Sequence, residues 1–122
     1  MEKTPEDLKI RTKRYSLRVI QLVRSLPKDF VAHEIGRQLL RSGMSVGANY
    51  RAALRARSSA EYRAKLGIVE EEADETAYWM ELLIESKIVK SELLANLVSE
   101  ANELVAIIIT CIRNSRTNEN AA

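Results

Sequence analysis

A chain of 122 residues, 46% hydrophobic and 30% charged with a formal net charge of +2, has room for one domain around a modest core. A single cysteine excludes a disulfide framework within the chain. A charged N-terminus (MEKTPEDLK) and the expected absence of a membrane-length apolar run argue for a cytoplasmic protein with no membrane partner. Two prolines, four glycines, few aromatics and abundant Ala, Leu, Glu, Lys and Arg point to an all-α fold.

The first helix should open at Thr4, with Pro5 at its first position and Asp7 closing a capping box. Leu8, Tyr15, Val19, Leu22 and Leu26 recur at spacings of three, four and seven and form its core stripe. Lys9, Arg11, Lys13, Arg14, Arg18 and Arg24 occupy much of the rest, and Pro27-Lys28-Asp29 ends it. The link Pro27 to His33 is short enough to force an antiparallel return. Phe30 and Val31 are expected to cover the bundle end.

Helix two contains Glu34 to Arg57, EIGRQLLRSGMSVGANYRAALRAR, which carries three surfaces on one pitch. At about 100° per residue, Ile35, Leu39, Val46, Tyr50, Ala53 and Leu54 face the core. Gly36, Gly43 and Gly47 lie along the edge of that face. Each costs about 1 kcal/mol against alanine inside a helix, so close approach of another helix is expected to offset them. Arg37, Arg41, Arg51 and Arg55 fall within roughly 80° of one another on the far side. They fit two readings: phosphate contacts to a nucleic acid, or ion pairs with acidic faces of the same or a neighbouring subunit. Gln38, Ser42, Ser45 and Asn49 sit on the flank between, where short polar side chains suit hydrogen bonds to an adjacent helix.

The third helix should start at a Ser58/Glu61 capping box, with Tyr62, Leu66, Val69, Ala73, Met80, Leu83 and Ile84 as its core stripe. Nothing in the sequence explains Gly67. The run Glu70 to Glu75 is dense in carboxylates, which on a helix form a solvated face or partners for arginines rather than a catalytic pair. Trp79 and Leu82, beside Ile68, make a second apolar strip outside the core.

In helix four, opening near Ser91, the core positions are Leu94, Leu97, Ala101, Leu104, Ile108 and Cys111 or Ile112. The stretch LVAIIITCI, Leu104 to Ile112, is apolar nearly all round, more than one bundle stripe can bury. Val105, Ile107 and Ile109, with Trp79 and Leu82, are therefore expected to line an interface between identical copies. Residues 114–122, NSRTNENAA, read as a disordered tail after a domain ending at 113.

Charge divides the chain. Residues 1–65 hold 15 Lys/Arg against 6 Asp/Glu, a balance of +9, and residues 66–122 a balance of −7. Lys13, Arg14 and Arg18 extend the candidate nucleic-acid surface onto helix one. His33, the one histidine, cannot supply the paired Glu-x-x-His of a di-iron bundle, and no catalytic residues, metal ligands or cofactor are expected.

The string RQLLRSGMSVGANYRAALRARSSAEYRAKLGI (Arg37 to Ile68), followed by EEADETAYWMELLIES (Glu71 to Ser86), resembles the small bacterial four-helix bundle proteins first met in intervening sequences of 23S ribosomal RNA genes. Its most specific pieces are the Ser45-x-x-x-Asn49 spacing and the Glu71 to Leu83 block. The resemblance implies an antiparallel up-down four-helix bundle assembling as a ring-like homo-oligomer, a homopentamer. It also implies kinship with accessory variability proteins of diversity-generating retroelements, whose partners are RNA or DNA and a reverse transcriptase. Members usually carry a glutamate shortly after the asparagine, where this chain has Ala52 and Ala53.

Overall fold

The computed structural model describes residues 4–121, which form four helices and, within that range, no strand. They are α1 (Pro5–Arg24), α2 (Phe30–Leu54), α3 (Ser59–Glu85) and α4 (Ser91–Ala121). Each helix packs antiparallel on the next, and α1 and α4 meet far less closely than the other neighbours.

Capping residues fix three of the starts. Thr4 Oγ1 accepts from Asp7 N–H at 3.0 Å and the Asp7 carboxylate accepts from Thr4 N–H at 3.3 Å, so the expected box closes. Ser58 Oγ accepts from Glu61 N–H at 3.0 Å, but Glu61 Oε1 accepts from Arg57 N–H, one residue ahead of the cap, at 2.6 Å, so only half of the second expected box forms. Asp29 caps α2 through Ala32 N–H at 3.0 Å. The link is therefore shorter than expected, and Phe30 and Val31 are the first helical turn rather than a lid. They stand 79% and 52% exposed. The α3–α4 turn ends α3 with Lys87 at φ 64°, its N–H on Ile84 O and the Ile88 N–H on Leu83 O, a Schellman motif in which lysine takes the place usually held by glycine.

The core runs the length of the bundle between Leu8, Tyr15, Val19, Leu39, Val46, Tyr50, Leu66, Val69, Met80, Leu83, Leu104 and Ile108, all essentially inaccessible to solvent. Burying a side chain of this size contributes about 1.5–3 kcal/mol. The expected stripes of all four helices supply it. Three buried polar residues join them: Thr12 donates to Leu8 O (2.8 Å), and Thr76 donates to Glu72 O (2.7 Å) and lies 2.9 Å from Ser42 Oγ.

The glycine edge of α2 does what its cost requires. A Cβ at Gly43 would meet Val19 at 2.5 Å, and one at Gly47 would sit 3.2 Å from Thr12 O and 3.3 Å from Lys13 Cα. Ser16 fills the resulting close seam, its hydroxyl donating to Gly43 O (2.7 Å) and accepting from Gly47 N–H (3.2 Å). Gly67 differs: nothing lies within 4 Å of where its Cβ would be.

Two expectations about α4 are corrected. It runs on to Ala121, beyond the expected boundary at 113, because Arg63 of α3 holds its last turns through Ser115 Oγ (3.2 Å) and Glu119 Oε1 (2.9 Å). It is also long and apolar enough to cross a bilayer by length and composition, contrary to the expected absence of such a run. Leu94, Leu97, Ala101, Leu104 and Ile108 of this helix are packed in the bundle core, and its Glu100 is paired with Arg11. Leu93 and Ile109 are its exposed large apolar side chains.

Candidate nucleic-acid interface

The arginine side of α2 projects away from the core, and Arg37, Arg41, Arg51 and Arg55 are all exposed. Their partners divide them. Arg41 reaches across to α3, with Nη1 3.2 Å from Glu72 Oε2 and Nη2 hydrogen-bonded to Glu75. Arg37 meets Glu34 one turn earlier on its own helix, 3.3 Å away. Among the described residues Arg51 and Arg55 form no ion pair.

Lys13 belongs with these two. Its Cα lies beside Gly47, one helical turn from Arg51, because the glycine brings the two backbones together. Arg14 is exposed on α1 and makes no ion pair among the described residues. Arg18 is drawn the other way, donating to Asn96 Oδ1 on α4 at 2.7 Å. The expected seven-residue surface thus resolves into Lys13, Arg14, Arg51 and Arg55 as unengaged cations and Arg18, Arg37 and Arg41 as bonded ones.

The bonded arginines belong to seams between helices. Arg11 clamps α4 with Nε on Glu100 Oε2 (2.7 Å) and Nη2 on Glu100 Oε1 and Glu103 Oε1 (both 2.8 Å). Both Arg11 and Glu100 are mostly buried, and the Glu100 bond, foremost, holds the guanidinium pKa above its ordinary value. On the α2–α3 seam the Trp79 indole N–H donates to Glu75 Oε2 at 3.0 Å. This bond, then Arg41, holds the Glu75 carboxyl below its ordinary pKa. Asn49 Nδ2 donates to Ser45 Oγ (2.7 Å), Ser45 Oγ to Glu72 Oε2 (3.4 Å), and Ser42 faces Thr76. Ser42 and Ser45 of the polar flank of α2 thus meet α3, while Asn49 bonds back to Ser45 on its own helix.

The sequence pattern did not single out a cleft between the last turns of α2 and the first turns of α3. Arg51, Arg55, Arg57 and Lys65 line it, with Glu61, Ala48 and Ala52, around an open volume of about 490 Å³. Its signal was the density of cations in RAALRARSSAEYRAK, in which Arg57 and Lys65 lie outside the four-arginine spacing and become neighbours only when the turn closes.

The five expected interface residues fall on more than one seam. Trp79 packs against the core edge and faces α2 through Glu75, and Leu82 is half-buried. Val105 and Ile107 are also partly covered by the core, whereas Ile109 is 37% exposed and lines a cleft with Gly67 between α3 and α4. Larger exposed apolar surface lies elsewhere, at Ile10, Leu17 and Leu93. Burial raises the pKa of the Cys111 thiol, which is the state of a packed hydrophobe rather than a nucleophile. No group of three metal-ligating side chains occurs among the described residues.

Residues 6–110 match the family model of the 23S rRNA-intervening sequence protein. The chain belongs to that family. A solved member of the S23 ribosomal protein family from Bacteroides thetaiotaomicron, a protein of unknown function, is similar at 34% identity with a TM-score of 0.79. The similarity covers 85% of this chain and 96% of that one. No protein of curated function matches significantly. The matched span takes in nearly all of α1, all of α2 and α3, and leaves out the end of α4. Family membership therefore extends over the glycine seam, the α2–α3 polar network and the basic cleft alike.

Proposed function

We propose that this family member is a non-catalytic, self-associating four-helix bundle that binds nucleic acid without reading its sequence, through the outer face of the α1–α2 hairpin. The carrying observation is the set of unengaged cations, Lys13, Arg14, Arg51 and Arg55, on a hairpin whose described residues from Leu8 to Arg57 include only two carboxylates, Asp29 and Glu34. Asp29 is occupied in capping α2 and Glu34 in pairing with Arg37. Cations without internal partners are free to displace counterions from a phosphate backbone. Phosphate contacts position a polyanion and specify nothing about its bases. No aromatic side chain stands among these four cations, which fits backbone contact rather than base stacking.

Self-association rests on uncovered apolar side chains of α4, at Leu93 and Ile109. Several copies would add weak basic patches into useful avidity. A scaffold reading, in which arginines only pair with acidic faces, is supported by Arg41 and by Arg11, whose carboxylate partners lie in the same chain. It does not extend to Arg51 and Arg55.

Fluorescence anisotropy with labelled RNA and DNA across a salt series tests the two readings. Lys13→Glu, Arg14→Glu, Arg51→Glu and Arg55→Glu should each weaken binding and flatten the salt slope, by about 0.7–0.9 for every phosphate left unneutralised. Arg41→Glu should change stability more than binding. Absence of salt-dependent binding at micromolar protein would leave the scaffold. Sedimentation showing a folded single chain at tens of micromolar would remove self-association.

A further inference from the structure

We infer that the basic cleft between α2 and α3 is a pocket for the terminal phosphate of a nucleic-acid strand, a phosphomonoester rather than a stretch of phosphodiester backbone. The inference rests on the nucleic-acid reading above and narrows it to one end of the ligand. Arg51 and Arg55 form one wall, Lys65 the other, and Arg57 stands in the turn that joins the two helices. Four cations gathered at one site match charge concentrated in a single group better than charge spread one unit per phosphate along a strand.

Charge and size agree. Four cations face a single carboxylate, Glu61, whose Oε1 is already taken by Arg57 N–H at 2.6 Å in the α3 cap. A terminal phosphate carries about −1.5 to −2 at pH 7 and three strong acceptor oxygens, and it concentrates that charge in the space of one group. Guanidinium forks match such oxygens two at a time. Ala48 and Ala52 keep the α2 wall free of side-chain bulk, and the cleft volume of about 490 Å³ has room for a phosphate group. Glu61 repels an anion from its own side and so directs the phosphate toward Arg51, Arg55 and Lys65.

The test compares one labelled oligouridine of fixed length bearing a 5′-phosphate, a 3′-phosphate or hydroxyls at both ends, bound to the full chain. A phosphorylated end should bind about tenfold more tightly than the hydroxyl strand, the scale of one or two charge-assisted hydrogen bonds. Which end gains identifies the polarity. Inorganic phosphate should erase the difference before it displaces the hydroxyl strand. Arg57→Gln and Lys65→Gln, two independent replacements in the cleft, should each bring the affinity ratio toward one, while Arg14→Gln weakens all three strands and keeps the ratio. Equal affinity for the three strands with an intact salt slope overturns the terminal-phosphate inference alone. No binding of any strand overturns the nucleic-acid reading and this inference with it.

Discussion

The two hairpins of this bundle solve one problem, holding two helices side by side, in opposite ways. Between α1 and α2 the helices meet closely: a Cβ at Gly43 would overlap the Val19 side chain, one at Gly47 would press on the α1 backbone at Thr12 O and Lys13 Cα, and Ser16 bonds directly to α2 main chain. Between α3 and α4 a glycine is present but unused, with open space around Gly67, and Arg63 spans the gap to Ser115 and Glu119. Contact at the backbone needs no charges to hold it, so the first hairpin can leave Lys13, Arg14, Arg51 and Arg55 unengaged. Where side chains rather than backbones hold a seam, cations are consumed. The free basic face and the glycine seam are in this sense one design.

Substituting Gly43 should break that arrangement hardest. Gly43→Ala places a Cβ within 3.0 Å of three Val19 side-chain atoms, one of them the branch point Cβ that cannot swing away. Overpacking of this kind costs about 1–3 kcal/mol, against a helix-propensity gain of about 1 kcal/mol. Urea denaturation should show a lower midpoint with an unchanged slope. A midpoint equal to or above wild type would mean that α1 can retreat freely, and the seam would not be the constraint described.

Arg11 probes the loosest seam, where α1 meets α4 through side chains alone. Arg11→Ala leaves Glu100 mostly buried without its guanidinium. A fully buried pair broken this way costs about 3–5 kcal/mol and an exposed one about 0–1. This partly buried bidentate pair should fall between, at about 1–2 kcal/mol. Because Glu103, its second partner, is exposed, part of the loss should shrink in high salt. The Gly43→Ala loss should not.

These contrasts show where the sequence was legible. Core stripes, the α1 capping box, the Ser58 cap and the glycine edge all depend on spacing within one helix, and periodicity reports spacing directly. Partners across a seam depend on how two helices rotate and slide. That is why Arg41 looked the same as Arg51 on the wheel although one faces Glu72 and Glu75 and the other faces the cleft. The same reason hid Arg57 and Lys65, which the turn brings together from separate elements. Helicity of residues 114–121 was also out of reach: their polar composition says nothing of Arg63, far upstream on α3, reaching over to hold them. Phe30 and Val31 misled because Asp29, read as the end of one helix, is the cap of the next.

Gly67→Ala should sharpen the comparison from the other side. The same substitution that damages the first hairpin meets nothing here, so the gain from replacing an interior helix glycine, about 0.5–1 kcal/mol, should appear in full. Gly67 and Ile109 line one cleft on the outer surface of α3 and α4. If copies associate there, a methyl group in the cleft should raise single-chain stability while weakening association, so urea denaturation and sedimentation would move in opposite directions.

The smallest effect concerns acid. Glu75 is held below its ordinary pKa by the Trp79 indole and then by Arg41. A carboxyl depressed in the folded state contributes stability that is complete above its unfolded pKa and is lost as pH falls through the depressed value. Trp79→Phe removes the donor and keeps an aromatic ring. Its cost should therefore have two parts: a packing loss independent of pH, and a hydrogen-bond loss seen at pH 7 that fades as pH falls below about 4, where the carboxyl is protonated first in the unfolded chain and then, at the depressed value, in the folded one. Exposed pairs of the Arg41–Glu75 kind are worth about 0–1 kcal/mol, so the pH-dependent part should be small. Arg41→Gln should reduce the same acid-sensitive component without the packing loss. A cost of Trp79→Phe that stays constant from pH 7 to pH 3 would show that the indole packs against the seam without holding the carboxylate, and the hold on Glu75 across the α2–α3 seam would reduce to Arg41 alone.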